Sequence, residues 1–410
     1  MSLKKNLLCF MFLFLFSPAV FADIKLSADG QTRLRYEYQG NCTGLTNERV
    51  SFFRFRFSGG LKADFGKIAT AYAKLTTESR SYIYNSGKDT RYNIDEAAID
   101  NLFVLFPDIS GLEIKAGRFD LPGAEYGEGF LLFEGSPVEG SRVPYINGLR
   151  LRYGNVELLK IYDTKRDFLP VINDRSKMLN SSTEAAVVVY GRFKQEDKLF
   201  VEPYYIHKDE YKNDADIVSV DTLGTFFKYK FENFVLRTQA AFQLNKHDGK
   251  TKHGFGGYVF ADLPVANVIK PLTFGYLYLS GDNKDDTAAW NPLFSRYAWH
   301  SEIMALLYLP EKEAGYWTNL QLLKAAANFT PLAKTTITAS YNYLLANETV
   351  SGAVFGNGKT RGSLLTCKLS YEISKDIKTY LLGEYLMPGD FYKNNAKNAT
   401  FIRVELTAKI

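Results

Sequence analysis

Apolar and polar residues alternate along most of this chain. From Thr400 to Ile410, the residues Ile402, Val404, Leu406, Ala408 and Ile410 take every second place, with Arg403, Glu405, Thr407 and Lys409 between them. A period of two gives an extended strand one apolar and one polar face. The same reading holds for Phe53, Phe55 and Phe57 against Arg54 and Arg56, for Leu149, Leu151 and Tyr153 against Arg150 and Arg152, and for Phe227, Tyr229 and Phe231 against Lys228 and Lys230. Many of these stretches run past ten residues. A tilted membrane strand needs about 9–11, whereas strands of a soluble sandwich are shorter.

The connections fall into two kinds. Very short turns stand at Asp64-Phe65-Gly66, Pro107-Asp108-Ile109, Tyr153-Gly154-Asn155, Gln195-Glu196-Asp197, Glu232-Asn233 and Ser374-Lys375-Asp376. Between them lie long polar connections near 80–94, 120–144, 164–182, 209–217, 282–315 and 388–398. Short turns on one rim and long loops on the other describe an outer-membrane barrel. A strand over 296–309 would place the tight Thr330-Pro331-Leu332 turn on the long-loop rim, so 282–315 is read as one loop. The fold class is then all-β, a transmembrane antiparallel barrel of eighteen strands with short periplasmic turns and long extracellular loops. The strands fall near 28–40, 48–64, 66–79, 94–106, 110–119, 145–153, 155–164, 181–195, 198–209, 217–231, 233–247, 252–264, 269–282, 316–329, 333–347, 359–374, 376–388 and 399–410. Closure pairs every backbone group, as lipid demands.

Composition narrows the alternatives. Of 410 residues, 46% are hydrophobic and 15% aromatic, which excludes disorder. Beyond the first 22 residues there is no apolar run of about 18, which excludes a helical membrane bundle. Residues 1–22 read as a cleavable export leader: Lys4 and Lys5, an apolar Leu7–Phe16 segment, Pro18, then Val20-Phe21-Ala22. The barrel is expected to occupy 23–410. Cys9 falls in the leader. Cys42 sits in a Gly/Asn turn and Cys367 on the apolar face of a strand, so no disulfide is expected. The net charge of +5 includes the two leader lysines and forms no basic block of the nucleic-acid kind.

With the apolar face against lipid, the polar face lines the lumen. Arg33, Arg35, Arg54, Arg56, Arg150, Arg152, Arg192, Arg237, Lys324 and Arg403 point there, among fewer acids such as Glu37, Glu78, Glu113, Glu157, Glu202, Glu384 and Glu405. A cationic lumen concentrates anions and excludes cations. The plainer alternative is that these charges knit the wall through ion pairs.

Two stretches resemble the alginate-export family of outer-membrane proteins. Lys115–Tyr153 carries Gly117-Arg118, a loop with Gly127, Gly129 and Arg142, and then a strand opening Tyr145-Ile146-Asn147-Gly148 before Arg150. The C-terminal third adds Leu279-Ser280-Gly281-Asp282, Asn291-Pro292-Leu293-Phe294 and Gly383–Tyr392. The resemblance implies an eighteen-stranded barrel that passes an anionic uronate polysaccharide through a basic constriction near Arg118 and Arg142. The loop departs from that pattern by placing two acids, Glu125 and Glu128, beside the constriction.

No P-loop, His-Glu-x-x-His, Cys-x-x-Cys or Gly-x-Ser-x-Gly is present, and four His leave little for a metal site. His300-Ser301 and the Glu125/Glu128 pair are weak hydrolase signals, since adjacency does not orient a base. Asp282, Asp285 and Asp286 offer a weak Ca²⁺ candidate without EF-hand spacing; otherwise no metal and no cofactor is expected. Trp299 and Trp317 are read as candidates for the interfacial girdle. The sequence reads as a non-enzymatic outer-membrane channel with a basic lumen, passing alginate-like polyuronate or related anions. The alternatives are a selective porin for small anionic or sugar-like nutrients and, last, an outer-membrane hydrolase. The partners are the anionic solute, outer-membrane lipid and, for export, a periplasmic component. Loop 120–144 is expected to fold into the pore.

Overall fold

The structure is a computed structural model that describes residues 24–85, 93–121, 125–129, 131–133, 146–164, 170–172, 183–211, 216–265, 269–295, 299–307 and 317–410. The leader and Arg142 lie outside these residues. The strands are β1 (Lys25–Gly40), β2 (Arg49–Asp64), β3 (Thr70–Asn85), β4 (Asn93–Ile109), β5 (Leu112–Phe119), β6 (Ile146–Tyr153), β7 (Val156–Asp163), β8 (Pro170–Ile172), β9 (Thr183–Gly191) and β10 (Phe193–Gln195). They continue with β11 (Leu199–Tyr211), β12 (Ile217–Lys230), β13 (Val235–His247), β14 (Lys250–Leu263), β15 (Ile269–Leu279), β16 (Leu320–Phe329), β17 (Thr335–Leu345), β18 (Thr360–Glu372), β19 (Ile377–Pro388) and β20 (Ala399–Lys409).

Consecutive wall strands pair antiparallel, with β7 joined to β9 and β9 to β11, and β1 closes on β20 from Gln31↔Lys409 to Gly40↔Thr400. Two short strands do not add positions to the wall. β8 pairs only with β4, and β9 and β10 are one strand broken at Arg192, since both pair with β11. The wall therefore has eighteen positions, as the turn and loop pattern requires.

The polarity of the wall is that of a membrane protein. Phe53 and Phe55 are 46% and 40% exposed, Leu406 40% and Ile410 80%, while their neighbours Arg54, Arg56, Arg403 and Glu405 are buried. Grease outside and charge inside is the reverse of a soluble core and is stable only against lipid. Cys367 faces outward between Leu365 and Leu369, Cys42 is buried under the loops, and both thiols are free. Replacing Phe55 by Arg is expected to cost about 2–4 kcal/mol of folding stability, because a cation near the bilayer midplane is poorly solvated. Denaturant titration of the barrel in phospholipid vesicles measures this, with Phe55→Leu as the neutral reference.

Two expectations need correction. First, the inner face is not polar all round. From β7 to β16 it carries Leu159, Ile161, Val188, Ile206, Val220, Leu277, Leu320 and Leu322, all buried. Loops folded into the barrel cover them: Leu131, Leu132 and Phe133 from the segment after β5, and Trp290, Leu293, Phe294, Ile303, Met304 and Leu307 from the segment after β15. The lumen thus holds a small apolar core of its own. Second, Trp317 is buried in this core, and Trp299 is half-buried with its indole N–H toward Ser295 Oγ. Both belong to an inward-folded loop and not to the girdle. The same segment carries a short helix, α1 (Glu302–Leu307), where a strand would have broken the alternation of rims.

Candidate functional site in the barrel lumen

The charged row on β1, β2, β3 and β20 follows from spacing and register. Arg33, Arg35 and Glu37 are two residues apart, as are Arg54 and Arg56, Glu78 and Arg80, and Arg403 and Glu405, so each set shares the inner face. Register then brings like charges together: Arg33 opposes Arg56 and Arg35 opposes Arg54. Like charges directly opposite repel. Three carboxylates interleave to offset this. Glu78 meets Arg56 at 2.7 Å and Arg33 and Arg54 at 3.4 Å. Glu405 meets Arg35 at 2.6 Å and Arg33 at 3.9 Å. Glu37 meets Arg35 and Arg403 at 3.1 Å and Arg54 at 3.8 Å. Five guanidiniums stand on these three wall carboxylates, and Arg80 adds a sixth above the Phe52 ring, 4.9 Å from its centroid. A fourth carboxylate comes from α1: Glu302 accepts from Arg403 at 2.6 Å.

A second charged group fixes the segment after β5. Arg150 pairs with Glu113 at 2.8 Å and with Glu125 at 3.5 Å. Arg152 pairs with Glu157 at 2.8 Å and with Glu125 at 3.5 Å. Arg192 pairs with Glu157 at 3.1 Å and donates to the Glu125 carbonyl at 3.0 Å. The Tyr126 hydroxyl donates to Glu157 at 2.5 Å. Burial, then the Glu157 charge, push that hydroxyl above the ordinary phenol range, so it stays a donor. The Gly127 N–H donates to Glu202 and its carbonyl accepts from Tyr258, while Glu128 pairs with Arg237 at 2.7 Å. These contacts run from β6 and β7 across to β13 and β14 on the inside of the wall. Gly127 is required at the tip. Its φ is +54°, and a Cβ there would sit 2.8 Å from Phe226. Farther along, Phe133 stacks on Phe294 at 5.8 Å, and the Phe294 N–H donates to the Leu132 carbonyl.

Arg118 has a different setting. Its guanidinium donates to Asn147 Oδ1 at 3.0 Å and to the Ile99 carbonyl at 2.8 Å, and the side chain is buried. Gly117 before it has φ +126°, with Leu102 O only 2.2 Å from where a Cβ would be. The Gly117-Arg118 pair thus ties β5 under β4. Arg33, Arg35, Arg54 and Arg56 are brought together by the fold. Arg150, Arg152, Glu125 and Glu128 form the second group, and Arg118 stands on β5 with bonds to Asn147 and Ile99.

The residues behind the hydrolase and metal signals make local contacts. Ser301 Oγ donates to Glu384 at 2.7 Å and accepts from the Met304 N–H, so it caps α1. Glu125 and Glu128 pair with different arginines. Asp282 pairs with Lys252 at 2.7 Å, which holds its carboxyl below the usual carboxylate range, and Asp286 accepts from Asn283. Among the described residues no three His, Cys, Asp or Glu converge as metal ligands. Four participants escaped the sequence reading: Arg80, Tyr126, Tyr258 and Glu302. For Glu302 a signal existed: Ser301-Glu302 followed by Ile303-Met304-Ala305-Leu306-Leu307 is a cap, an acidic first turn and an apolar run.

No family model matches the chain. The search of curated proteins returns no match either. Solved structures do resemble it. The outer membrane protein OprD from Pseudomonas aeruginosa aligns with a TM-score of 0.56 at 11% identity, over 94% of this chain and 93% of that one. Pseudomonas aeruginosa OccK2 (OpdF), solved with glucuronate, aligns at 0.58 and 11%, over 94% and 98%. Pseudomonas aeruginosa OpdK, solved with vanillate, aligns at 0.58 and 13%, over 94% and 98%. At such identities the likeness is one of fold, and together with the apolar exterior it marks the chain as a membrane β-barrel of the bacterial outer-membrane type. The resemblance to alginate exporters is corrected accordingly. Its eighteen strands stand, and its polysaccharide finds no support in these structures.

Proposed function

We propose that the protein is a non-enzymatic outer-membrane channel selective for small carboxylate-bearing solutes. The observation that carries this reading is the row of Arg33, Arg35, Arg54, Arg56 and Arg403 on one side of the lumen, whose guanidiniums outnumber the carboxylates among them. Guanidinium binds a carboxylate through paired N–H donors, and a low-dielectric wall strengthens that preference. Interleaved Glu37, Glu78 and Glu405 keep any one guanidinium from holding a solute too tightly, so a carboxylate can pass from one to the next. The segment carrying Tyr126 and Glu128, anchored along the wall from β6 to β14, narrows the passage and favours a single small solute over a polymer. Two structures of the same fold hold glucuronate and vanillate, each a small carboxylate.

Planar-bilayer recording on the purified barrel tests the reading. In a salt gradient the reversal potential is expected to show anion preference, and glucuronate is expected to reduce the current at lower concentration than a polyuronate at equal uronate content. Cation preference overturns the proposal, and stronger block by the polymer overturns its restriction to small solutes.

A further inference from the structure

α1 meets the barrel wall at two points of different character. The first is built to stay. Glu384, on the inner face of β19, accepts from Ser301 Oγ at 2.7 Å and from the Glu302 and Ile303 N–H groups, both at 3.0 Å. That carboxylate satisfies the open end of the helix, while Ile303, Met304 and Leu307 are buried on its other face. The second is a single ion pair. Glu302 Oε1 accepts from Arg403 NH1 at 2.6 Å. The other two nitrogens of Arg403, Nε and NH2, are already held by Glu37, each at 3.1 Å. One guanidinium nitrogen of the row is thus met by a carboxylate that comes from a loop and not from the wall.

We infer that Glu302 is a built-in stand-in for the permeating solute: its carboxylate holds the place on Arg403 that a small carboxylate takes in transit. This rests on the channel reading above and names the residue that sets its selectivity. Exchange is one carboxylate for another on the same nitrogen. No buried charge is left bare, so the step avoids the penalty of breaking a buried ion pair. A neutral sugar or a cation has no means of displacing Glu302. The Glu384 clamp keeps α1 in place while Glu302 swings off, so the exchange needs a side-chain movement and no unfolding of the loop. Competition of this kind weakens apparent affinity by the fraction of time the site is free.

The test is block of single-channel current by glucuronate, with glucose as the neutral control, in wild type, Glu302→Gln and Glu384→Gln. Glu302→Gln is expected to lower the half-blocking concentration of glucuronate several-fold, leave glucose unchanged and shift the reversal potential further toward anions. Glu384→Gln loosens the helix but keeps the competing carboxylate, so it is expected to raise conductance without sharpening the discrimination between glucuronate and glucose. Glu302→Asp, which keeps the charge on a shorter arm, is expected to fall between, and serves if Glu302→Gln fails to insert. The inference is overturned if glucuronate blocks Glu302→Gln and wild type alike, or if Glu302→Gln becomes equally more sensitive to glucose. If wild type shows no anion preference, the channel reading itself fails, which is a separate outcome.

Discussion

Replacing residues 122–144 by a short Gly-Ser linker is expected to raise single-channel conductance several-fold. The described part of this segment lies across the inside of the barrel. Tyr126, Leu131, Leu132 and Phe133 are buried there, and the segment is tied to Glu157, Glu202, Arg237 and Tyr258 along the arc of wall from β7 to β14. The wall does not depend on it, because β5 pairs with β6 along its whole length, from Leu112↔Tyr153 to Phe119↔Ile146. Removing the segment leaves the backbone ladder closed and takes away its share of the filling, while the segment after β15 stays. A second consequence follows from the apolar half of the inner face. Leu159, Ile161 and Val188 lose part of their cover, so the deletion is also expected to lower stability toward denaturant. Planar-bilayer conductance and denaturant titration in vesicles report the two effects separately. An unchanged conductance would place the narrowest point elsewhere.

Replacing Arg54 and Arg56 together by Gln is expected to move the reversal potential from anion preference to none or to cation preference. Of its three arginines Glu78 would keep Arg33, at 3.4 Å, and Glu37 would lose one of its three arginines. Carboxylates now interleaved among guanidiniums would then be matched or in excess, and the sign of the local charge decides which ion is enriched. The same change leaves a buried carboxylate short of partners, which costs about 3–5 kcal/mol when a buried pair is broken outright. Arg56→Lys keeps the charge but loses the forked contact with Glu78, in which Nε and NH2 both bond one oxygen at 2.9 Å and 2.7 Å. It is expected to retain anion preference with lower stability. Anion preference that survives the double replacement would take these two residues out of the selective path.

Several features of this molecule were open to reading before any coordinates, for local reasons. Alternation in Phe53–Phe57 and in Ile402–Ile410 fixes which face meets lipid, because successive side chains of a strand must point to opposite sides. Short turns and long loops fix the number of wall positions, since antiparallel neighbours alternate rims. Gly117-Arg118 stood out as a motif, but what the Arg118 side chain bonds to could not be read from it. A positive φ at Gly117 and an acceptor at Ile99 are properties of two paired strands together, and no pairing of letters displays them.

The sequence by itself therefore determined an eighteen-stranded membrane barrel with an arginine-rich inner face, since period and turn length are carried by neighbouring residues along one strand. Only the tertiary structure decided which charges share partners, that half of the inner face is apolar under folded-in loops, and that Glu302 of α1 reaches Arg403 a hundred residues away in the chain. Those outcomes depend on cross-strand register and on where a loop lands inside a closed wall. Both are set by the joint packing of distant segments and are invisible to any local pattern.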